Sequence, residues 1–290
     1  MRDWSILIFT TLFTTAVGMT GFVPLSGALL KGELDTARQY DVMLHPMLTA
    51  CVLAVVGLGV SFGHLGYPLN ARHVLRGVAS SALSREVAMA GAFVAAIGLT
   101  TLVALRSGRV SLVAVAGCFL IGLCAVWFMS EVYRRTSVVT WTHANTHVMF
   151  FGGVLVMGAV LGFALVGPAA GRTLGFASLR TLFGWTAVLV LVGLAAQLAV
   201  LPSYVRAIGT NPMNAVVSYP LQPLEVFRSH AGTRCVRWII SLAGAATLLC
   251  AVWRTIRSDE PAGFGLTFVA GVLLFGGEIL GRYVFYAIHD

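Results

Sequence analysis

The chain has 290 residues, of which 58% are hydrophobic and only 10% charged, with a formal net charge of +8. That much apolar surface excludes a soluble globule of this length, and in hydrocarbon every backbone donor and acceptor must be paired within the chain, which leaves helices or a closed barrel. The positive balance then reflects topology and lipid phosphates, and it is not read as nucleic-acid binding.

Barrel strands alternate apolar and polar residues over roughly 10 positions. Here the apolar runs are continuous, as at 110–129 and 182–201, with the roughly 20-residue length that a spanning helix needs. In chain order the pattern predicts an all-α integral membrane protein, a single polytopic domain over 1–290 built as an eight-transmembrane-helix bundle. The spans are expected near 6–30, 43–62, 87–105, 110–130, 148–166, 182–201, 236–255 and 263–286. Lys31-Gly32-Glu33, the basic stretch 106–109, the Gly167-Pro168 pair and the stretch 254–261 punctuate the runs. An even count puts both termini on the same side. The first run is longer than a signal-peptide core and is followed by further spans, so no cleavable leader is expected.

Three long connections, 66–85, 131–147 and 202–235, fall on the face that carries the termini. Loops this long are uncommon unless they do something, so the terminal face is expected to be the working face. The third contains Pro202, Pro212, Pro220 and Pro223 and cannot be one regular helix. Lys and Arg are denser in the short loops, which predicts that those are cytoplasmic and that the termini are periplasmic.

The five cysteines form no C-x-x-C pair, and Cys51, Cys118, Cys124 and Cys250 lie inside apolar spans. Iron–sulfur ligation needs clustered thiolates, so no iron–sulfur cluster is expected in this chain. A membrane haem needs histidines from facing helices within the span. His45, His64, His73, His143, His147, His230 and His289 fall at span ends or in loops, which argues against haem; no metal site is expected. His143 and His147 are four apart and could share a helical face, but a pair on one helix cannot supply both axial ligands.

The ionisable residues gather toward the terminal face. The second span ends in Gly63-His64-Leu65-Gly66-Tyr67-Pro68, and the third begins with Ser84-Arg85-Glu86. The last span carries Glu278, Arg282 and Tyr286 at four-residue intervals, on one side of a helix. Charges at that depth face the bundle interior or an aqueous pocket. Two readings stand side by side for Glu278 and Arg282, a structural ion pair and part of a site. For His64 with Glu86 the alternatives are helix-end capping and proton chemistry.

His64-Leu65-Gly66-Tyr67-Pro68, then A-S-S-A-L-S-R-E over 79–86, then Gly277-Glu278-Ile279-Leu280-Gly281-Arg282 in that order resemble the membrane anchor subunit of dimethyl sulfoxide reductases, the DmsC type. The resemblance spans essentially the whole chain in span count and length. It implies a menaquinol-oxidising anchor in the bacterial inner membrane, serving anaerobic respiration. The anchor passes electrons to an iron–sulfur subunit and through it to a molybdopterin catalytic subunit, in a heterotrimer.

Residue by residue, the resemblance implies His64 as the quinol histidine and Glu86 as the loop acid, the two catalytic candidates. By position Gly66, Arg72 and Arg76 join them in quinol binding, and Glu278, Arg282 and Tyr286 complete or brace the pocket. Quinol oxidation releases two protons with two electrons, and His and Glu are suited to accept them near neutral pH. Two other functions are weighed: a polysulfide-reductase or NrfD type of quinone anchor, and a proton-coupled transporter using Glu278 and Arg282. Against the transporter, the two halves lack a matching pair of Gly/Pro-interrupted spans.

Overall fold

The computed structural model describes residues 4–64, 74–174, 177–210, 219–257 and 263–288. The chain winds through α1 (Trp4–Leu29), α2 (Thr36–Ser61), α3 (Ala82–Ser107), α4 (Leu112–Arg134), α5 (Asn145–Leu174), α6 (Ala177–Thr210), the short α7 (Pro223–Ser229), α8 (Ala231–Arg257) and α9 (Gly263–Ala287). Among the described residues eight of these, all but α7, are long and apolar enough to cross a membrane. Their order matches the eight predicted spans.

The helices outrun the apolar stretches. Polar residues in the headgroup region continue the backbone hydrogen bonding, so α3 starts at Ala82 instead of near residue 87, and Glu86 sits in its second turn. Two predicted interruptions are corrected. The Gly167-Pro168 pair lies inside α5, and α6 runs on through Pro202 to Thr210. Proline removes one donor, and in a bundle the freed carbonyl finds other partners, so the helix persists.

Helices α1 to α4 form one four-helix unit, and α5, α6, α8 and α9 form the other. The two units meet along α1 and α5, the two most enclosed spans, with 78% and 67% of their apolar windows buried. Gly18 and Gly158 make that seam possible. A Cβ on either would run into the backbone of the opposite helix, so α1 and α5 approach backbone to backbone as small-residue pairs allow in membranes. Phe13, Val17 and Phe93 fill the core on one side of the seam, and Phe163, Phe183 and Leu274 fill it on the other.

The start of α1 and the end of α9 lie together, with the Trp4 and Tyr283 rings 6.4 Å apart. At this end the segment between α4 and α5 folds over α9. Trp141 Nε1 donates to the Phe285 carbonyl at 2.7 Å, and Thr140 Oγ1 donates to that of Ile288 at 3.2 Å. Those carbonyls belong to the last turn of α9 and the residue just past it, where intrahelical donors run out. The long 131–147 connection therefore caps the final span. It also pairs with the next connection, Val139 N–H donating to the Tyr219 carbonyl at 2.9 Å.

Candidate functional site

A cavity of about 200 Å³ opens at the end of the bundle where α1 starts and α9 ends. Ile6 and Phe9 of α1, Leu58 and Ser61 of α2, Phe62 and Val74 from between α2 and α3, Leu83, Glu86, Val87 and Ala90 of α3, and Val132 and Tyr133 of α4 line it. The wall is apolar, and its polar side chains among the described residues are Ser61, Glu86 and Tyr133. Phe62 and Leu83 are both more than two-fifths exposed, so the cavity's rim reaches the lipid-facing surface.

Local chemistry sets Glu86 in place. Ser81 caps α3 by accepting from the Ser84 N–H at 3.3 Å, while Arg85 Nε donates back to the Val78 carbonyl at 2.9 Å. These contacts fix the first turn of α3 and the turn before it. Glu86 then heads a buried stripe with Ala90, Phe93 and Ile97 on the inward face of α3. The carboxyl group is 7% exposed at the residue level and looks into the cavity.

Tyr133 reaches the cavity from the last turn of α4. Its ring stands edge-on to Trp141, Phe285 and Tyr286 at 5.3, 5.5 and 5.5 Å. The Tyr133 and Tyr286 hydroxyl oxygens are 3.1 Å apart, and Tyr286 is in turn 3.1 Å from Thr10 Oγ1. Tyr133 and Tyr286 both lie close enough to Glu86 to feel its charge. The cavity that Glu86 and Tyr133 both line is thus joined, through the Tyr133–Tyr286 contact, to the bundle interior.

Beyond Tyr286 lies a buried charge cluster. Glu278, Arg282 and Arg237 are 1%, 0% and 5% exposed. Gln197 Nε2 donates to Glu278 Oε1 at 3.1 Å, Arg237 donates to Gln197 Oε1, and the Arg237 guanidinium stands 3.7 Å from the Glu278 carboxylate. Arg282 lies over the Phe150 ring, 4.0 Å from its centroid, and donates to Thr14 Oγ1 at 3.3 Å. Gly152, Gly153 and Gly281 leave the room that these long side chains occupy.

The structure brings together Glu86 and, through Tyr133, Tyr286. Glu278 and Arg282 share the predicted face of α9, but neither lines the cavity. Of the two readings of Glu278 and Arg282, the ion pair is corrected: the counter-charge of Glu278 is Arg237, which lies inside α8. Arg76 sits exposed on the short 3-10 turn beside Val74, at the rim. The backbone of His64 closes a 3-10 turn two residues past cavity-lining Phe62; its side chain, with Gly66 and Arg72, lies outside the described residues.

Sequence reading passed over Tyr133, Gln197 and Arg237, and a second cluster at the same end. Glu131 accepts from Arg134 and Arg135, each at 2.8 Å, and stands 3.0 Å from His147 Nε2. His147 stacks on Trp127 with centroids 4.3 Å apart. His143 precedes α5 instead of sharing a helical face with His147. Burial, and after it the Arg134 guanidinium, hold its imidazole below the usual range, in keeping with its Nδ1 accepting from the Asn145 N–H at 3.0 Å.

A family model described as DMSO reductase anchor subunit (DmsC) matches residues 1–288. The protein is 29% identical over 294 residues to the YnfH subunit of an anaerobic dimethyl sulfoxide reductase of Escherichia coli (strain K12), covering 99% of this sequence and 95% of that one. It is 30% identical over 292 residues to the C subunit of anaerobic dimethyl sulfoxide reductase from the same organism, with the same coverage. It is 28% identical over 301 residues to the C subunit of the Haemophilus influenzae enzyme, covering 100% and 95%. No solved structure matches the sequence.

Proposed function

The chain belongs to the DMSO reductase anchor subunit (DmsC) family, a membrane anchor of a multisubunit reductase, and on that premise we propose that it binds a quinol in the Glu86 cavity and oxidises it. The observation that carries this reading is the cavity itself: an apolar chamber with a buried carboxyl group and a phenol, open toward lipid depth, at the end of the bundle with the long connections. An apolar ring carrying two hydroxyl groups has that chemistry. Few other membrane-soluble substrates do.

In this reading Glu86 takes a hydroxyl proton from the quinol ring, and His64, at the end of α2, takes the other. The two electrons leave to an iron–sulfur subunit docked on the same end of the bundle and pass on to a molybdopterin subunit. Menaquinol is the quinol we assign, and Phe62 and Leu83 flank the exit for its tail. Arg76 at the rim is placed to meet the headgroup region or the docked subunit. The termini and the long connections face the periplasm. The dyad Glu278 and Arg282 braces the pocket from behind, through Tyr286 and Tyr133, and does not touch quinol. A transporter's coupling site uses broken helices, whereas α9 is continuous through both residues.

The test is to purify the native complex from membranes and compare quinol-dependent with dye-dependent reduction of sulfoxides and N-oxides. His64→Ala is expected to abolish the first and spare the second. Equal loss of both makes His64 structural. A protein that purifies without iron–sulfur and molybdenum partners overturns the proposal.

A further inference from the structure

At the opposite end of the bundle from the Glu86 cavity, where α2 begins and α5 ends, a cleft of about 320 Å³ lies between these two helices. Asp41, Leu44 and His45 of α2 and Ala169, Arg172 and Thr173 of α5 line it. Along α2, His45 stands about 24 Å from the cavity-lining Ser61, at 1.5 Å per residue. Asp41 and His45, four apart, share one face of α2. A carboxylate and a guanidinium therefore border the same space, yet among the described residues none of Asp41, His45 and Arg172 has a side-chain hydrogen bond or ion pair. Opposite charges that share a cleft of this size without touching leave room for a ligand that carries both signs. The cleft also leads into an apolar trough. Beyond His45 the same face of α2 carries Leu48, Val52 and Val55, with Val52 and Val55 58% and 51% exposed. Beyond Arg172 and Ala169 the matching edge of α5 carries Leu165 and Leu161, both partly buried.

A charged mouth at headgroup depth above an apolar trough has the shape of a phospholipid. We propose that this cleft binds phosphatidylethanolamine, with the lipid phosphate on Arg172, its primary ammonium on Asp41 and an acyl chain along the α2 stripe. Formal charge selects the headgroup: Asp41 and Arg172 sum to zero, as phosphate and ammonium do. The anionic headgroup of phosphatidylglycerol brings a phosphate into the cleft and leaves the Asp41 carboxylate without a counter-charge. A choline headgroup has the positive charge but no N–H to donate. Ethanolamine alone of the three gives a charge-assisted hydrogen bond at each end, the strong kind. His45, beside Asp41, adds an imidazole that can donate to a phosphate oxygen. Since α2 belongs to one four-helix unit and α5 to the other, the lipid ties the two units together at the end remote from the quinol cavity. The cleft and that cavity share no residue, so the two readings stand or fall separately.

The experiment is native mass spectrometry of the purified complex, exchanged into detergent containing equal amounts of phosphatidylethanolamine, phosphatidylcholine and phosphatidylglycerol of one acyl composition. Wild type is expected to retain phosphatidylethanolamine about tenfold over either competitor, the weight of one charge-assisted hydrogen bond. Asp41→Asn keeps the shape and removes the charge, and is expected to bring retention of phosphatidylglycerol to within about twofold of phosphatidylethanolamine. Arg172→Gln is expected to cut retention of phosphatidylethanolamine about tenfold. Asp41 and Arg172 are exposed, so both variants are expected to assemble, and dye-dependent activity at the wild-type level reports that they do. Equal retention of the three lipids by wild type overturns the proposal, and a wild-type preference for phosphatidylglycerol reassigns the cleft to anionic lipid and overturns it as well. So does an Asp41→Asn variant that discriminates as wild type does. If that variant fails to assemble, undiminished retention in Arg172→Gln has the same force.

Discussion

Glu278 on α9 finds its counter-charge across the bundle on Arg237 of α8, 3.7 Å away, although Arg282 stands one turn along its own helix. The cluster therefore holds two guanidinium groups and one carboxylate, all of them buried. Their formal charges sum to +1 in the buried interior of the bundle. That arithmetic ranks the substitutions. Glu278→Gln keeps the shape and the contact with Gln197, yet leaves two unscreened cations facing each other. Arg237→Met leaves Arg282 with Glu278, a neutral pair.

The neutral isostere is thus expected to be the more damaging change. Glu278→Gln should cost about 3–5 kcal/mol, the range for stranding a buried charge, and Arg237→Met about 1–3 kcal/mol. Thermal unfolding of the purified complex in detergent, with membrane yield as a second readout, gives the order. Arg237→Met melting below Glu278→Gln would show that hydrogen-bond geometry, not charge balance, governs the cluster.

Glu86 is expected to behave differently from that cluster, because its partner is a substrate and not a fixed cation. Glu86→Gln should leave yield and dye-dependent turnover within about twofold, while quinol-dependent turnover falls by about 10²-fold or more, the usual contribution of a positioned base. The comparison is made in one membrane preparation with both donors. A parallel fall in the two activities would assign the residue to folding.

The spans were legible in the sequence because a spanning helix needs a long continuous apolar run and little else. Their ends were less so. Polar residues beyond the hydrocarbon still satisfy helical hydrogen bonds, so α6 carries on through Pro202 to Thr210 and α3 takes in Glu86. Glu278, Arg282 and Tyr286 were legible as one inward stripe because their spacing alone places them there. Arg237 was not, since a guanidinium near the start of a span reads as an interface residue, and its burial is explained by partners such as Gln197 and Glu278, each on a different helix. Tyr133 was hidden for the same reason: its partner Tyr286 is 153 positions away, and no local pattern announces a contact of that range.

Filling the cavity without touching its polar groups is expected to separate space from chemistry. Val87 lines the chamber and is only partly buried, so Val87→Phe can grow into the void without forcing α3 off its neighbours. Quinol KM should rise at least about tenfold, with turnover at saturation reduced less. Steady-state kinetics over a range of quinol concentrations tests this, and an unchanged KM would mean that the headgroup binds elsewhere.

The seam between α1 and α5 makes the sharpest stability prediction, because two glycines of similar helical setting face opposite surroundings. A Cβ on Gly18 would meet the backbone of Val154 and Gly158, whereas one on Gly91 of α3 would meet nothing within 4 Å. Backbone cannot move aside as a side-chain tip can, so Gly18→Ala forces the helices apart along the line where the two four-helix units join. The cost should exceed the roughly 1–3 kcal/mol typical of overpacking. Gly91→Ala gains helix propensity of about 1 kcal/mol with no clash and should be neutral or slightly stabilising. Both are read by thermal unfolding and by the fraction of complex recovered from membranes. Equal behaviour of the two variants would mean that α1 and α5 do not touch at Gly18, and with that contact gone the two halves of the bundle would have to be joined by some other surface.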